Sequence, residues 1–277
     1  MISSYLMGGL GNQLFQIFNC IAYGIENNVP FIFQYSDVSP SSVFRTTYWE
    51  TFLSDIKQYT TKVISKYRFS VYKESFFRYR EHPKNIENIY FNGYFQSYKY
   101  FESCKNKIFD MIHLREQQEN CVAEYPEYFV NENTISLHFR LGDYKSKQEY
   151  HPLQKYEYYK KAFNILSPSD LSKYTVLYFC EKEDNSIVEN TINELKKDFV
   201  FHKITKVDDN IPDWKQMLIM SCCNMNIIAN SSFSWWGAYF NKNKDNIVIY
   251  PSLWFGPAIG HNDIQDLCPD DWIKVSV

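Results

Sequence analysis

Several patterns that would assign this 277-residue sequence to a common functional class are absent from it. Its seven cysteines form no C-x-x-C pair, so the sequence indicates neither a zinc ribbon nor a disulfide framework, and the thiols are typical of a reducing compartment. The six histidines are scattered, and no Asp-x-Asp pair occurs that could hold a divalent ion on a diphosphate. We therefore expect no metal site and no bound cofactor.

The charge and hydropathy of the chain argue against two further classes. Its net charge is −3 and its Lys and Arg residues are dispersed, so it lacks the basic stripe of a nucleic-acid-binding protein. No apolar run reaches the roughly 18 residues of a membrane span, and the start of the chain lacks the basic region of a signal peptide. We expect a cytoplasmic protein with no nucleic-acid partner and no transmembrane segment.

The first half of the chain begins with a strand–turn–helix–strand pattern. Apolar residues at 2–7 predict a strand, recurring apolar positions predict a helix over 12–28, and a second strand is predicted over 30–35. The aromatic middle predicts a helix over 98–112 and a loop over 90–97. The opening pattern is that of an α/β unit.

The second half alternates strands and helices more regularly. Strands are predicted over 134–139, 175–180, 226–230 and 246–251, and helices over 153–166, 185–199, 213–223 and 231–241. This alternation predicts an α/β domain with a mostly parallel sheet, in which ligands bind beyond the carboxyl ends of the strands. A Pro-containing stretch at 124–134 is the predicted boundary between the two halves.

The segment 136–144, SLHFRLGDY, places three chemically distinctive residues at the end of a predicted strand. Alternation puts His138 and Arg140 on one face, and Gly142 permits a sharp turn before Asp143. A guanidinium at that position can donate two hydrogen bonds to phosphate oxygens. The alternative interpretation is a structural Arg140–Asp143 pair with His138 packed beside it.

The segment 226–240, NIIANSSFSWWGAYF, has a strand–turn–helix context. Ser231 or Ser232 can cap the predicted helix, whose first N–H groups and dipole would form an anion site. The alternative is an ordinary helix cap that binds nothing. Trp235 and Trp236 are expected to pack in the core rather than to stack on a ligand.

The segment 8–16, GGLGNQLFQ, contains Gly9-x-Gly11 between a predicted strand and a predicted helix. A leucine stands where a dinucleotide-binding motif has its third glycine, so the match to that motif is incomplete. The glycines would let the backbone approach a ligand closely, while Asn12 and Gln13 offer side-chain hydrogen bonds. A tight turn followed by a helix cap is the alternative.

These segments occur with two others, GYFQS at 93–97 and YPSLWFG at 250–256, in an order that resembles glycosyltransferase family 11. The five segments span residues 8–256, and the chain is similar to the α-1,2-fucosyltransferases of that family. The resemblance implies an α/β, GT-B-like fold with two Rossmann-like domains facing across a cleft. It also implies an N-terminal acceptor-side domain over 1–130 and a C-terminal GDP-sugar-binding domain over 131–277.

The resemblance further implies a reaction. L-Fucose would pass from GDP-fucose to the 2-hydroxyl of a galactose-terminated glycan, with inversion and without a metal ion. Donor contacts would come from Gly9, Gly11, Gln13, His138, Arg140, Glu181, Asn230, Ser231, Ser232 and Phe233. Arg140, Asp143 and Asn12 would be catalytic, and Arg140 would replace a metal ion at the departing diphosphate.

Two matters stay open at the level of sequence. Asp143 is the preferred candidate for the group that takes the acceptor proton, and Glu149 and His151 are the alternatives. A different nucleotide sugar as donor, or a non-catalytic glycan-binding protein on the same scaffold, would also fit the chain. A nicotinamide-dependent oxidoreductase is suggested by the pair Gly9-x-Gly11 alone.

Overall fold

The computed structural model describes residues 1–39, 45–65, 68–84, 86–243 and 245–276. The chain divides into two compact units, and a short C-terminal segment belongs to the first of them. The first unit comprises Met1–Glu116 and Asn262–Pro269, and the second comprises Gln117–His261 and Asp270–Val277.

The elements of the first unit are short, apart from its first helix. They are β1 (Ile2–Ser4), α1 (Leu10–Asn27), β2 (Phe33–Gln34), β3 (Val38–Ser39), β4 (Arg45–Thr46), β5 (Thr60–Thr61), β6 (Ser70–Lys73), β7 (Ile89–Asn92) and α2 (Lys105–Met111). Strands β1, β7 and β6 form a parallel sheet in that order, β2 pairs with β5, and β3 pairs with β4. The carboxyl ends of β1, β7 and β6 therefore lie along one edge of the sheet.

Helix α1 forms where the sequence predicts, and apolar residues at three- and four-residue steps are buried along it. Leu14, Phe18 and Ile21 have no exposed surface. The helix ends at Asn28, whose φ of 52° is the left-handed conformation common at helix C-termini. The predicted helix is thus confirmed, although it is buried on nearly all sides, its polar Gln13, Gln16 and Asn19 included.

Other expectations for the first half are met only in part. The strand predicted over 30–35 is reduced to β2, and the helix predicted over 98–112 is confined to α2, preceded by two short 3-10 turns. The loop predicted over 90–97 is wrong for its first residues, which belong to β7. Tyr90 and Phe91 are buried between β1 and β6, and those long-range pairings are not visible in the local sequence.

Helix α3 (Leu114–Glu124) spans the division between the units. Its Gln118 side chain donates hydrogen bonds to Ser221 Oγ at 2.8 Å and to the Phe240 carbonyl at 2.9 Å. These buried bonds tie most of α3 to the second unit. The division consequently comes earlier in the chain than the domain boundary that the sequence suggests between residues 130 and 131.

The second unit alternates strands and helices, as its sequence predicts. Its further elements are β8 (Thr134–His138), α4 (Tyr156–Leu166), β9 (Thr175–Phe179), α5 (Asn185–Asp198), β10 (Lys203–Lys206), α6 (Asp213–Ser221), β11 (Met225–Ile227), α7 (Ser232–Tyr239), β12 (Ile247–Pro251) and β13 (Ile273–Val275). The buried core of the unit lies on this sheet and includes Ile135, Leu137, Val176 and Ile227.

The sheet of the second unit has the order β10-β9-β8-β11-β12-β13, and every neighbouring pair is parallel. Chain order runs one way from β8 to β10 and the other way from β11 to β13, so it reverses between β8 and β11. Ligands of open parallel sheets bind beyond the carboxyl ends of the strands at such a reversal. The predicted α/β class is confirmed, with a parallel sheet in each unit.

Candidate functional site

Arg140 follows β8 at the carboxyl end of the sheet, where the sequence placed it. Its guanidinium donates to Glu181 Oε1 and to Asp143 Oδ1, and its Cζ lies 5.0 Å from the centre of the Tyr144 ring. Burial raises the pKa of the Glu181 carboxyl against the opposing charge of Arg140. The guanidinium is therefore held between two carboxylates. One of them is Asp143, and a structural ion pair between Arg140 and Asp143 is the alternative interpretation of the sequence.

The turn after Arg140 is organised by a carboxylate that sequence reasoning missed. Asp184 is fully buried, and it accepts hydrogen bonds from the Gly142 N–H at 2.7 Å and from Lys145 Nζ at 2.6 Å. Gly142 has a φ of 36°, and a Cβ on it would lie 2.8 Å from Glu181 Cδ. The sharp turn predicted at Gly142 is confirmed, whereas Asp184 had no signal beyond an acidic run after β9.

His138 and Phe233 bring the ends of β8 and α7 into contact. Their ring centroids are 5.6 Å apart, and His138 is 7% exposed. Burial, together with the charge of Arg140, lowers the pKa of His138 to about 3, so its imidazole is neutral. His138 Nδ1 is buried without a hydrogen-bond partner, which is an unusual state for a polar atom in a protein interior.

Helix α7 begins at the predicted pair of serines. Ser231 is the N-cap, and its hydroxyl accepts a hydrogen bond from the Phe233 N–H at 3.3 Å, which confirms the predicted cap. Ser232 is the first helical residue. Trp235 and Trp236 have no exposed surface, which confirms that they pack in the core.

Asn230 fixes the loops around the start of α7. Its Nδ2 donates to the carbonyls of Pro152 at 2.9 Å and Trp254 at 3.1 Å, and its own carbonyl accepts from the Tyr144 hydroxyl at 3.3 Å. The side chain is buried, and its Oδ1 has no hydrogen-bond partner. Asn230 thus joins the loop after β8 to the loop after β12.

The three candidates for the proton-accepting group lie in different surroundings. Besides accepting from the guanidinium, Asp143 lies 3.5 Å from Lys147 Nζ, so it faces two cations. His151 stacks on the Tyr144 ring with centroids 4.6 Å apart, and burial lowers its pKa. The Glu149 side chain is exposed.

The glycine-rich segment of the first unit forms the turn between β1 and α1. The left-handed conformation falls on Gly8, with a φ of 81°, whereas Gly9 is the N-cap of α1 with ordinary backbone angles. Gly11 is buried in the first turn of the helix. Arg45, which sequence reasoning missed, lies beside this turn, 3.9 Å from the place that a Cβ on Gly9 would occupy.

Amide side chains of α1 hold this turn in place. Gln13 is buried, and its Nε2 donates to the carbonyls of Gly8 and Thr46, both at 2.9 Å. Gln16 accepts from the Met7 N–H at 2.8 Å and donates to the Met7 carbonyl at 3.1 Å. The side-chain nitrogen of Gln13, expected to contact the donor, is therefore bonded to the protein's own backbone.

The segment 93–97 is joined to the same turn. Asn12 Oδ1 accepts a hydrogen bond from Gln96 Nε2 at 2.7 Å. Ser97 is buried, and its hydroxyl donates to the Asp266 carbonyl in the C-terminal segment of this unit. Two of the motifs quoted from the sequence are thus brought together, although 84 positions separate Asn12 from Gln96.

Metal-binding clusters and membrane-spanning helices are both missing from the described part of the chain. Within those residues, no group of three or more His, Cys, Asp or Glu side chains could hold a metal ion. No helix in the described part of the chain is long and apolar enough to cross a membrane.

Comparison with known proteins places the chain among glycosyltransferases. Residues 2–275 match the sequence profile of Glycosyl transferase family 11. The O-antigen biosynthesis glycosyltransferase WbnK of Escherichia coli is 30% identical over 190 residues, which cover 66% of this chain and 59% of that protein. The alpha-1,2-colitosyltransferase of Escherichia coli is 28% identical over 305 residues, which cover 99% of each chain.

Solved structures of glycosyltransferases are more distant. The fucosyltransferase NodZ from Bradyrhizobium is 11% identical with a TM-score of 0.44, covering 85% of this chain and 91% of that one. The Escherichia coli ADP-heptose LPS heptosyltransferase II is 12% identical with a TM-score of 0.35, covering 58% and 43%. Because the family profile spans nearly the whole sequence, the chain belongs to glycosyltransferase family 11.

Proposed function

We propose that this glycosyltransferase moves L-fucose from GDP-fucose to the 2-hydroxyl of a terminal galactoside, with inversion and without a metal ion. The observation that carries the proposal is the position of Arg140 and of the start of α7. Both lie at the reversal of strand order between β8 and β11, and the contact between His138 and Phe233 joins them. In this proposal the second unit binds the donor and the first unit binds the acceptor.

The leaving diphosphate is the group that this site would stabilise. Glycosyl transfer passes through an oxocarbenium-like state, and negative charge grows on the diphosphate as the sugar departs. The Arg140 guanidinium can donate two hydrogen bonds to phosphate oxygens, and the first N–H groups of α7 add a positive dipole end. Donors fixed at the place where charge develops lower the barrier more than they strengthen ground-state binding.

Asp143 and Glu181 hold the guanidinium before the donor arrives. Because Arg140 donates to both carboxylates, the diphosphate has to share or displace at least one of them. Glu181 follows β9, the neighbour of β8, which is the place where dinucleotide-binding sheets carry an acidic residue for ribose hydroxyls. We propose that Glu181 binds the ribose hydroxyls of the donor and that Asp143 keeps the Arg140 guanidinium in place during transfer.

A second donor is favoured by one comparison. The alpha-1,2-colitosyltransferase aligns over 99% of both chains, so colitose is the second candidate for the transferred sugar. Colitose is L-fucose without its 3-hydroxyl, and the two sugars therefore present the same groups elsewhere on the ring. A site that hydrogen-bonds the 3-hydroxyl of fucose would reject colitose strongly. A site shaped for colitose, without that hydrogen bond, would discriminate less strongly against fucose.

The test is transfer in the presence of EDTA with a panel of donors and β-galactosides. GDP-fucose, GDP-colitose, GDP-mannose and UDP-galactose are compared, and the linkage and anomeric configuration of each product are determined. The proposal expects an α-1,2-fucosyl product, and a product from GDP-colitose alone would support the second candidate instead. Binding of a galactoside without any transfer would favour the non-catalytic alternative.

A further inference from the structure

The sheet edge of the first unit carries a carboxylate that the proposed reaction has not yet used. Glu74 directly follows β6, the segment Gly93–Gln96 directly follows β7, and the glycine turn follows β1. Since these three strands are parallel neighbours with β7 in the middle, their carboxyl ends meet at the edge where parallel sheets bind ligands.

The chain after β7 is shaped around this carboxylate. Glu74 Oε2 accepts from the Tyr94 N–H at 2.7 Å, and Oε1 accepts from the Phe95 N–H at 3.0 Å. A Cβ on Gly93 would lie 2.7 Å from Glu74 Oε2, so Gly93 is the residue that admits the side chain. Phe95 has a φ of 52°, a conformation that costs energy for a residue with a large side chain.

Glu74 differs from Asp143, Glu181 and Asp184 of the second unit, each of which is paired with a cation, because the described residues give it no cationic partner. The groups that act on it are the two backbone N–H groups, and the charged form also faces the phenols of Tyr94 and Tyr100. Burial raises the pKa of Glu74 to about 7, against the two N–H groups, which lower it. The group can therefore exchange a proton near neutral pH.

The surroundings of Glu74 offer the surfaces that a sugar ring uses. Tyr94, whose N–H bonds Glu74, is 38% exposed, and Phe76, two residues after Glu74 in the chain, is 55% exposed with the Arg80 guanidinium 3.8 Å from its ring centre. Aromatic faces can pack against the C–H groups of a pyranose, while nearby polar side chains fix its orientation. The amide pair of Asn12 and Gln96 lies on the same sheet edge.

We propose that this edge is the acceptor-sugar subsite and that the Glu74 carboxylate takes the proton from the attacking hydroxyl. The assignment rests on the proposed transfer reaction and replaces Asp143, Glu149 and His151 in that role. The acceptor oxygen forms a bond to the anomeric carbon while the bond from that carbon to the diphosphate oxygen breaks. The hydroxyl proton passes to Glu74, and GDP leaves with the bonding electron pair.

Glu74→Gln tests the assignment in the full-length enzyme. General-base catalysis contributes about 10²–10⁴-fold, so kcat should fall by that factor, while the Kd for GDP-fucose, measured by calorimetry, should stay within twofold. A base works in its deprotonated form, so the wild-type kcat/KM for the acceptor should rise with pH through about 7. Glu74→Gln should lose this ascending limb.

Two further variants separate a catalytic role from a structural one. Glu74→Ala opens space beside the turn, and added formate should restore part of its transfer rate, which a purely structural residue would not allow. Glu81→Gln removes an exposed carboxylate of the same unit and should behave as wild type. If Glu74→Gln keeps the ascending limb, or loses rate only in proportion to a lowered Tm, Glu74 is a turn-stabilising residue and the proposal is overturned.

The outcome is separable from the test of the donor. If the wild type uses another nucleotide sugar, the fucose assignment fails, and the same pH profile with that donor still decides the role of Glu74. If the wild type transfers no sugar to any acceptor, both assignments fail together.

Discussion

The carboxyl edges of the two parallel sheets carry different kinds of polar residue. In the second unit, the edge beyond β8 and β9 holds a network of alternating charges, namely Arg140, Asp143, Lys145, Lys147, Glu181 and Asp184. In the first unit, the edge beyond β1, β7 and β6 holds the amides of Asn12, Gln13 and Gln96, and Glu74 with its two N–H donors. The edge of the second unit is built from paired charges, and the edge of the first unit is built mainly from neutral groups.

This difference indicates what each edge can do. Cationic partners favour the charged form of a carboxylate, so Asp143, between Arg140 and Lys147, is suited to holding a charge in place. Glu74, which is half-buried and held by neutral donors, is suited to moving a proton near neutral pH. A charged network fits a diphosphate and a neutral edge fits a sugar hydroxyl, as the proposed division of roles requires.

Removal of the guanidinium should break the charged edge most completely. Arg140→Ala should lower kcat by about 10²–10³, the usual effect of losing one donor to developing charge. Arg140→Lys should fail as well, because an ammonium group cannot reproduce the two-pronged hydrogen bonding. Transfer rates of folded protein in EDTA provide the measurement, and near-wild-type rates for Arg140→Ala would disprove the assigned role of Arg140.

Asp143→Asn tests which edge supplies the group responsible for the pH dependence of transfer. The substitution weakens the hold on Arg140, so kcat should fall roughly tenfold, as expected when a charge-assisted hydrogen bond becomes a neutral one. The ascending limb of the pH profile should remain, since the proposed base is Glu74. Loss of that limb in Asp143→Asn would instead return the role of base to Asp143.

Replacing one glycine on each edge should weaken the binding of a different substrate. Gly142→Ala forces a Cβ against Glu181, and Gly93→Ala forces one against Glu74, so each should lower the free energy of unfolding by about 1–3 kcal/mol. Gly142→Ala should weaken GDP-fucose binding and leave the acceptor KM unchanged, while Gly93→Ala should raise the acceptor KM and leave donor binding unchanged. Urea unfolding, calorimetry and steady-state kinetics provide the three measurements.

A third glycine supplies the control for these variants. Gly260 has a φ of −64°, and a Cβ on it would meet its nearest neighbour at 3.4 Å. Gly260→Ala should therefore change stability by about 0.5 kcal/mol or less. If Gly142→Ala and Gly93→Ala affected the donor and the acceptor equally, the assignment of one substrate to each edge would be wrong.

The two units also differ in how far their sequence predicts them. In the second unit, hydrophobic runs bounded by turns locate β8, β9, β11 and β12, because each of these strands is buried and has a local signal. The edge strands β10 and β13 were not predicted, since β10 reads Lys-Ile-Thr-Lys and β13 has only one buried residue. The sheet order, which creates the reversal between β8 and β11, follows from long-range pairing alone.

In the first unit, only α1 is strongly predicted. Strands β6 and β7 lie in an aromatic and polar stretch without clear alternation, and their pairing depends on contacts distant in the chain. The segment motifs located Arg140, His138 and Ser231 from sequence, because those residues end a strand or begin a helix. Asp184 and Glu74 could not be located in this way. Each accepts hydrogen bonds from backbone N–H groups of residues that are distant in the chain and come close only in the folded protein.

The smallest expected losses of stability and of GDP binding come from substituting one buried carboxylate in each unit. Asp184 bonds Lys145 and the Gly142 N–H, while Asp266 bonds Lys99 and Arg78 and holds the C-terminal segment of the first unit. Asp184→Asn and Asp266→Asn should each cost about 1–2 kcal/mol of unfolding free energy, because the lysine partners are partly exposed and solvent screens the pairs. Asp184→Asn should also weaken GDP binding severalfold by loosening the turn that carries Arg140, and Asp266→Asn should not.

Urea unfolding with and without GDP measures both effects. An equal loss of stabilisation by GDP in the two variants would contradict the assignment of donor binding to the charged edge of the second unit.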